Sequence, residues 1–377
     1  MKLLDMKIII SQHTAFTWGP GSMLSSYLKS SKKLLHISHP FDTKIDEPSF
    51  YQLYEDGLLT EEEKIGSTHT PIISYIKDFL ITLFLIFKQK EKYNLFIGID
   101  PLNAFTGLIL KFFNKTDKVI FYPIDYSPIR FKNKLLNRFY HYIETYCVKR
   151  ADSIWFLAQG LIDVFVENGA NKDKCILTPI QIEKIYRNDL GQRFENPKLV
   201  YMGGLFPEKG VDLIVDAMPK ILQKIPNIEL IIIGGGPEEK NLQQKIKQLD
   251  IQKNIQMVGF VESRDETLKL LSECSIGIAP YVVDKDKYTG YGFGAKTIEY
   301  FSCGLPVIIT EWQEIEQQNL GLTIKQSADD LANAVIILLS DKPLYEKCRS
   351  SCYDRAQEHY FKNVYDRAFA TMGINNA

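Results

Sequence analysis

The chain of 377 residues has almost no net charge: 45 basic residues stand against 46 acidic ones. A dedicated nucleic-acid binder carries a strongly basic face, so nucleic acid is not an expected partner. The six cysteines (Cys147, Cys175, Cys274, Cys303, Cys348, Cys352) include no C-x-x-C pair, and the six histidines no H-E-x-x-H or H-x-x-x-H pair. A disulfide framework and a structural metal site are both disfavoured; the cysteines read as buried free thiols of a reduced, cytoplasmic chain. Around Met6-Lys7-Ile8-Ile9-Ile10 there is no apolar core or cleavage site of a signal peptide. No apolar run is long enough to span a bilayer: residues 79–87 make nine with Thr82 included, whereas about 20 are needed. The segment 75–87 therefore reads as a core helix covering a sheet. Lys88, Lys90 and Lys92 behind it leave a second reading open, a helix lying in a membrane surface with lysines on anionic headgroups.

What is present is an alternation of strands and helices. β-branched runs without polar alternation recur at 7–11, 34–38, 94–99, 118–122, 153–156 and 174–178, alternating with helical patterns over most of this half, as in parallel sheets covered on both faces. Residues 41–70 read as polar and irregular, and 179–197 as a linker. The alternation then restarts at 198–202 and continues through strands at 228–233, 255–258, 276–279 and 306–310. Single cores rarely grow past about 250–300 residues. The expected fold is therefore α/β, with two doubly wound Rossmann-like domains facing across a cleft, residues 1–186 and 197–352. Residues 1–190 carry 24 Lys/Arg against 21 Asp/Glu, the remainder 21 against 25, so the first half is slightly basic.

In such sheets ligands sit beyond the carboxyl ends of strands, which directs attention to three loops. Gly203-Gly204-Leu205-Phe206-Pro207-Glu208-Lys209-Gly210 follows a strand and opens a helix, so its amides and Lys209 suit a phosphate, although taken alone the loop reads more simply as a tight turn with a solvated lysine. Gly234-Gly235-Gly236-Pro237 again exposes backbone donors, but lacks the G-x-G-x-x-G spacing of dinucleotide redox enzymes. In the third, Tyr291-Gly292-Phe293-Gly294 leads into a helix where Glu299 stands among Ile298, Tyr300 and Phe301. A buried carboxylate needs a partner, either a ribose diol or a neighbouring lysine.

These loops in this order resemble the donor-binding domain of GT-B-fold glycosyltransferases, most similar to the family-four group of retaining enzymes. Residues 203–210 match the G-[RG]-L-x-x-x-K-G loop, 234–237 the glycine-rich turn, and Gly259-Phe260-Val261 the G-[FY]-[VL] segment. Gly292-Phe293-Gly294, Glu299 and Gly304-Leu305-Pro306-Val307-Ile308 complete the match, which covers residues 198–341. The resemblance implies that Lys209 binds the diphosphate of a nucleotide sugar, Glu299 the ribose hydroxyls, and the backbone of 292–294 the sugar or its phosphate. It places Gly204, Gly235, Phe260, Val261 and Tyr291 on the donor-binding loops, and a final helix from about Tyr353 in 353–377 crossing back to the first domain. Two positions depart from the family: Gly204 replaces the usual arginine, and Tyr291 the first glutamate of a glutamate pair. Lys296, one turn from Glu299, either restores the missing positive charge or is a surface residue.

The resemblance implies a retaining, metal-independent glycosyltransferase with no cofactor beyond its donor. It would act on a glycan or lipid-linked acceptor in surface polysaccharide or glycolipid synthesis; a non-catalytic GT-B subunit is the alternative. Metal independence agrees with the lack of a D-x-D triad, Asp284-Lys285-Asp286 being a weak match. The acceptor falls to the first half. There Asp125, in Tyr122-Pro123-Ile124-Asp125, either orients an acceptor hydroxyl as base or caps its loop. His13 reads as a solvated loop residue. The basic-aromatic run with Arg130, Lys132, Lys134 and Arg138 suits either contact with an anionic membrane or an ordinary solvated helix face.

Overall fold

The computed structural model describes residues 2–14, 19–40, 48–65, 71–187, 194–281 and 294–376. The chain divides into two compact units, Met1–Gln181 with Phe361–Ala377, and Ile182–Tyr360. Each is built on its own sheet.

The first unit contains β1 (Lys7–Thr14), β2 (Lys33–Pro40), β3 (Ser49–Glu55), β4 (Leu58–Ile65), β5 (Tyr93–Ile99), β6 (Thr116–Tyr122), β7 (Ser153–Phe156) and β8 (Cys175–Leu177). They are ordered β4-β3-β2-β1-β5-β6-β7-β8. The six strands from β2 to β8 are parallel, and β3 and β4 add an antiparallel edge. Ile8, Ile9 and Ile10 of β1 are all buried, as a strand covered on both faces requires. Its helices are α1 (Pro20–Leu28), α2 (Pro71–Lys88), α3 (Pro101–Phe112), α4 (Lys134–Arg150) and α5 (Gln159–Glu167).

One expectation needs correcting. The stretch 41–70 is not irregular throughout, because β3 and β4 form a hairpin within it. Asp56 and Gly57 turn it with φ of 49° and 86°, the left-handed pair of a two-residue turn that matches the strand twist. Ser49, Tyr51 and Leu53 point inward along β3, whereas β4 is exposed almost throughout.

The second unit contains β9 (Lys198–Met202), β10 (Glu229–Ile233), β11 (Ile255–Gly259), β12 (Ile276–Ala279), β13 (Val307–Thr310) and β14 (Gly321–Ile324). Helices α6 (Val211–Lys224), α7 (Glu239–Gln248), α8 (Arg264–Ser272), α9 (Ala295–Ser302), α10 (Glu314–Gln317), α11 (Ala328–Ser340) and α12 (Lys342–Glu358) connect and cover them. All neighbours are parallel in the order β11-β10-β9-β12-β13-β14, the strand order of a Rossmann sheet. Leu199, Leu230, Ile232, Ile276 and Ile308 build the core beneath α6 and α11.

The closing segment also differs from expectation. There is no continuous helix from Tyr353: α12 ends at Glu358 and α13 (Phe361–Thr371) follows. Cys352 and Tyr353 stay buried in the second unit, with the Tyr353 ring against Gly304, which holds the end of α12 there. The break falls where Ile182 N–H donates to the carbonyl of His359 at 2.9 Å. α13 belongs to the first unit, where the rings of Tyr365 and Phe369 pack on Tyr27 and Trp155.

Candidate active site

In the second unit the chain adds strands on one side of β9 and then on the other, so the loops leaving β9 and β12 diverge and open a crevice. The glycine turns after β9 and β10 interlock there. Gly203 N–H donates to Ile233 at 2.9 Å, Leu205 N–H to Gly235 at 3.0 Å, and Glu238 N–H to Leu205 at 3.1 Å. Gly234 has φ of 133°, and a β-carbon on it would fall 2.1 Å from the carbonyl oxygen of Gly203. Only glycine permits that approach. Gly235 faces open space, and the Gly204 carbonyl accepts the hydroxyl of Tyr201 at 2.8 Å.

Two lysines converge on these turns. Lys209 closes the short helical turn Pro207–Lys209 ahead of α6, with its Nζ 5.6 Å from the centroid of the Tyr281 ring. Lys296, in the first turn of α9, has its Nζ 4.3 Å from the Tyr201 ring and 5.0 Å from that of Tyr281. A β-carbon on Gly203 would lie 3.0 Å from the same ammonium. Burial, and then the charge of Lys209, lower the pKa of Lys296 to about 7. Like charges gathered beside glycine-rich turns make this a candidate anion site. Tyr300 fixes α9 in place: its hydroxyl accepts the N–H of Met202 at 2.8 Å, and its ring lies on Gly277 of β12.

Glu299, one turn beyond Lys296, is buried, and Arg264 Nη2 of α8 lies 3.3 Å from its Oε1. Burial raises the carboxyl pKa and Arg264 opposes the rise. The cation near Glu299 is thus an arginine from another helix and not a neighbouring lysine. Arg264 was not among the sequence candidates, although a signal existed. An arginine in the first turn of a helix stands against the helix dipole, so something else must hold it. Phe260, 73% exposed, and Val261 follow β11 at the same end of the sheet. Tyr291, Gly292 and Phe293 lie outside the described residues, as do Asp284 and Asp286; Gly294 caps α9.

The first unit holds a second polar cluster, which the sequence did not reveal. His13 is not a solvated loop residue: it lies in β1 and is buried. Its Nδ1 is 2.7 Å from Asp100 Oδ2, directly after β5, and its Nε2 is 3.5 Å from Asp78 Oδ2 on α2. Asp78 Oδ1 is in turn 3.4 Å from Nδ1 of His39 on β2. Burial alone would lower His13, but Asp100 and Asp78 outweigh it and raise the imidazole to about 9. His39 drops to about 3 through burial and the charge of His13, so it is neutral. Both carboxyls are pulled below their usual range, chiefly by His13 against the opposing effect of burial. Asp100 has φ of 88° and ψ of 161°, a backbone shape suited to glycine that costs about 1–3 kcal/mol in other residues. Its carboxylate offsets part of this by capping α3 at the N–H of Asn103, 2.9 Å away.

Asp125 is exposed on the loop after β6, and both its oxygens are directed at the Arg130 guanidinium. Among the described residues no three His, Cys, Asp or Glu side chains are placed to hold a metal ion.

Residues 183–355 match the family described as glycosyl transferases group 1. An uncharacterized glycosyltransferase of Methanocaldococcus jannaschii is 26% identical over 222 residues, 55% of each chain. A GDP-mannose-dependent monoacylated alpha-(1-6)-phosphatidylinositol monomannoside mannosyltransferase of Corynebacterium glutamicum is 27% identical over 54% of this chain and 53% of its own. The chain spans about half the length of these curated relatives. Among solved structures, HepE of Anabaena in complex with UDP superposes with a TM-score of 0.69 over 98% of this chain and 100% of its own, at 15% identity. Sucrose-phosphate synthase of Thermosynechococcus elongatus gives 0.67 over 97% and 100%, at 16% identity. Residues 183–355 therefore match the group 1 glycosyl transferases, and the chain that carries them has the two-domain α/β fold of the GT-B glycosyltransferases.

Proposed function

We propose that the protein transfers a sugar from a nucleoside-diphosphate sugar to a glycan or lipid-linked acceptor, with retention and without a metal. The convergence of Lys209 and Lys296 on the interlocked glycine turns carries this reading. Two ammonium groups beside one tyrosine repel each other until an anion joins them. When the bond from the anomeric carbon to the diphosphate breaks, negative charge builds on the departing oxygens. Fixed lysines and amides stabilise that charge where a metal otherwise would. Glu299 would then accept the ribose hydroxyls beside Arg264, and Phe260 would offer a face to the base. Retention rests on the motif resemblance to retaining family-four enzymes.

The relatives named for phosphatidylinositol glycosides favour a lipid-linked acceptor and glycolipid synthesis; we place this, or surface polysaccharide synthesis, at the cytoplasmic face of a membrane. No described helix is long and apolar enough to cross a bilayer. In the first unit, however, α2, α3 and α4 form one layer with a strongly apolar outer side. Ile76, Leu80, Phe84 and Phe87 line the outer face of α2, Phe112 and Phe113 end α3, and Leu135, Phe139 and Tyr142 line α4. With Lys88, Lys90, Lys132, Lys134 and Arg138 around them, this side suits an anionic lipid surface.

Calorimetric titration with UDP, GDP and ADP, followed by a panel of the corresponding sugars, tests the reading. One nucleoside diphosphate should bind, Lys209→Ala and Lys296→Ala should each weaken it by about 10–100-fold, and the product anomer should match the donor. Binding of none, or binding indifferent to both lysines, would refute it; binding without turnover would point to a non-catalytic subunit.

A further inference from the structure

The His13 cluster stands where the first sheet changes its direction of growth, since β2 lies on one side of β1 and β5 on the other. His13 is near the end of β1, and Asp100 is the residue that follows β5. Crevices at such reversals are where open α/β sheets bind ligands. A buried charge network does little for stability compared with apolar packing, so its presence there calls for another explanation. Within the cluster, exposure is graded. The side chains of His13, His39 and Asp78 are 5%, 0% and 1% exposed, and that of Asp100 is 19%. Only Asp100 reaches solvent; the others stand behind it. His13 Nδ1 donates to Asp100 at 2.7 Å, whereas its Nε2 and Asp78 Oδ2 face each other at 3.5 Å without a regular hydrogen bond, so the imidazolium is held between two carboxylates and bonded to Asp100.

We infer that Asp100 is the residue with which the first unit grips a neutral hydroxyl of the sugar or polyol acceptor, and that His13 and Asp78 fix its carboxylate in place. This rests on the glycosyl-transfer reading above. The ligand class follows from charge. An ionised carboxylate accepts hydrogen bonds from hydroxyls and repels a diphosphate, so this end of the first sheet suits the acceptor and not the leaving group. Because His13 keeps the carboxyl ionised, Asp100 orients the hydroxyl without taking its proton. The strained backbone at Asp100 aims a side chain where the fold would more easily have placed glycine.

Saturation-transfer NMR on the full chain with methyl α-glucoside, methyl α-mannoside and myo-inositol tests this directly. At least one of them should receive saturation from the wild-type protein. That signal should fall at least fivefold in Asp100→Asn, which tolerates the same backbone shape, and by a smaller factor in His13→Gln. Nucleoside-diphosphate affinity should stay within twofold in both variants. With a donor that turns over, Asp100→Asn should lower transfer relative to donor hydrolysis by water at least tenfold, a ratio that a general loss of structure leaves unchanged. The inference is overturned if no probe is saturated, if wild type and both variants saturate equally, or if transfer and hydrolysis fall together. Should Asp100→Asn fail to fold, His13→Gln decides alone. Failure of the wild type to bind any nucleoside diphosphate would instead count against the donor reading, which the sugar probes do not measure.

Discussion

Lys296 carries a charge that its surroundings oppose twice, through burial and through Lys209. A bound diphosphate removes both penalties, so its pKa must rise on binding. Above about pH 7 the empty site holds a neutral amine and has to take up a proton as the nucleotide enters. Titrations at pH 8 in buffers of different ionisation enthalpy should show this uptake, and Lys296→Met should abolish it; equal heats in all buffers for the wild type would contradict it. Glu299 runs the other way. Removing its partner in Arg264→Ala leaves a buried carboxylate uncompensated and should destabilise the fold by roughly 3 kcal/mol at neutral pH. Because burial raises the folded pKa, the folded chain binds a proton more readily than the unfolded one. The lost stability should therefore return as the pH falls through that raised value, which denaturant melts across pH will show. The glycine turns and Lys209 were legible in sequence because spacing along one loop defines them. His13, Asp78, Asp100 and Arg264 were not, because strands and helices distant in the chain bring them together, and a lone histidine or aspartate carries no periodicity.

At the scale of elements, the β3–β4 hairpin shows how one signal can mask another. Asp56-Gly57 between two runs is a strong two-residue turn, but Glu61, Glu62 and Glu63 make the second run read as a loop. An exposed edge strand tolerates those charges, and they discourage pairing with other chains. Gly57→Val should destabilise the protein by about 1–2 kcal/mol, and hydrogen exchange should show the β3–β4 ladder opening first; exchange unchanged there would mean that the turn is dispensable. The α2–α4 layer was ambiguous in sequence for a different reason. Apolar residues sit on both faces of α2, so no pattern told the covered side from the bare one. Leu80→Glu with Phe84→Glu changes only the bare side, 55% and 68% exposed. The melting temperature should shift by no more than a few degrees, while sedimentation with anionic vesicles should fall at least tenfold. Retention of full vesicle binding would rule out this face.

Across the whole molecule, most strands of both sheets were foreseeable as runs rich in Ile, Leu and Val, whereas the short edge strand β14, Gly-Leu-Thr-Ile, carries no such signal. The division between units was harder to read: the second, Ile182–Tyr360, is inserted into the first. It has its own sheet and core, so residues 182–360 expressed alone should unfold cooperatively and bind the same nucleoside diphosphate within about fivefold of the full chain. A fragment that neither melts cooperatively nor binds would show that the unit depends on its neighbour.

The position of α13 bears on how the protein is made. A ribosome delivers β1 to β8 first, yet Trp155 and Tyr27 must wait for Tyr365 and Phe369, which emerge only after the inserted unit has been synthesised. During that interval the nascent first unit exposes an aromatic seam that chaperones would bind. The inserted unit ends at Tyr360, directly before the sealing helix, so the first unit is closed only at about the moment the second has its whole chain.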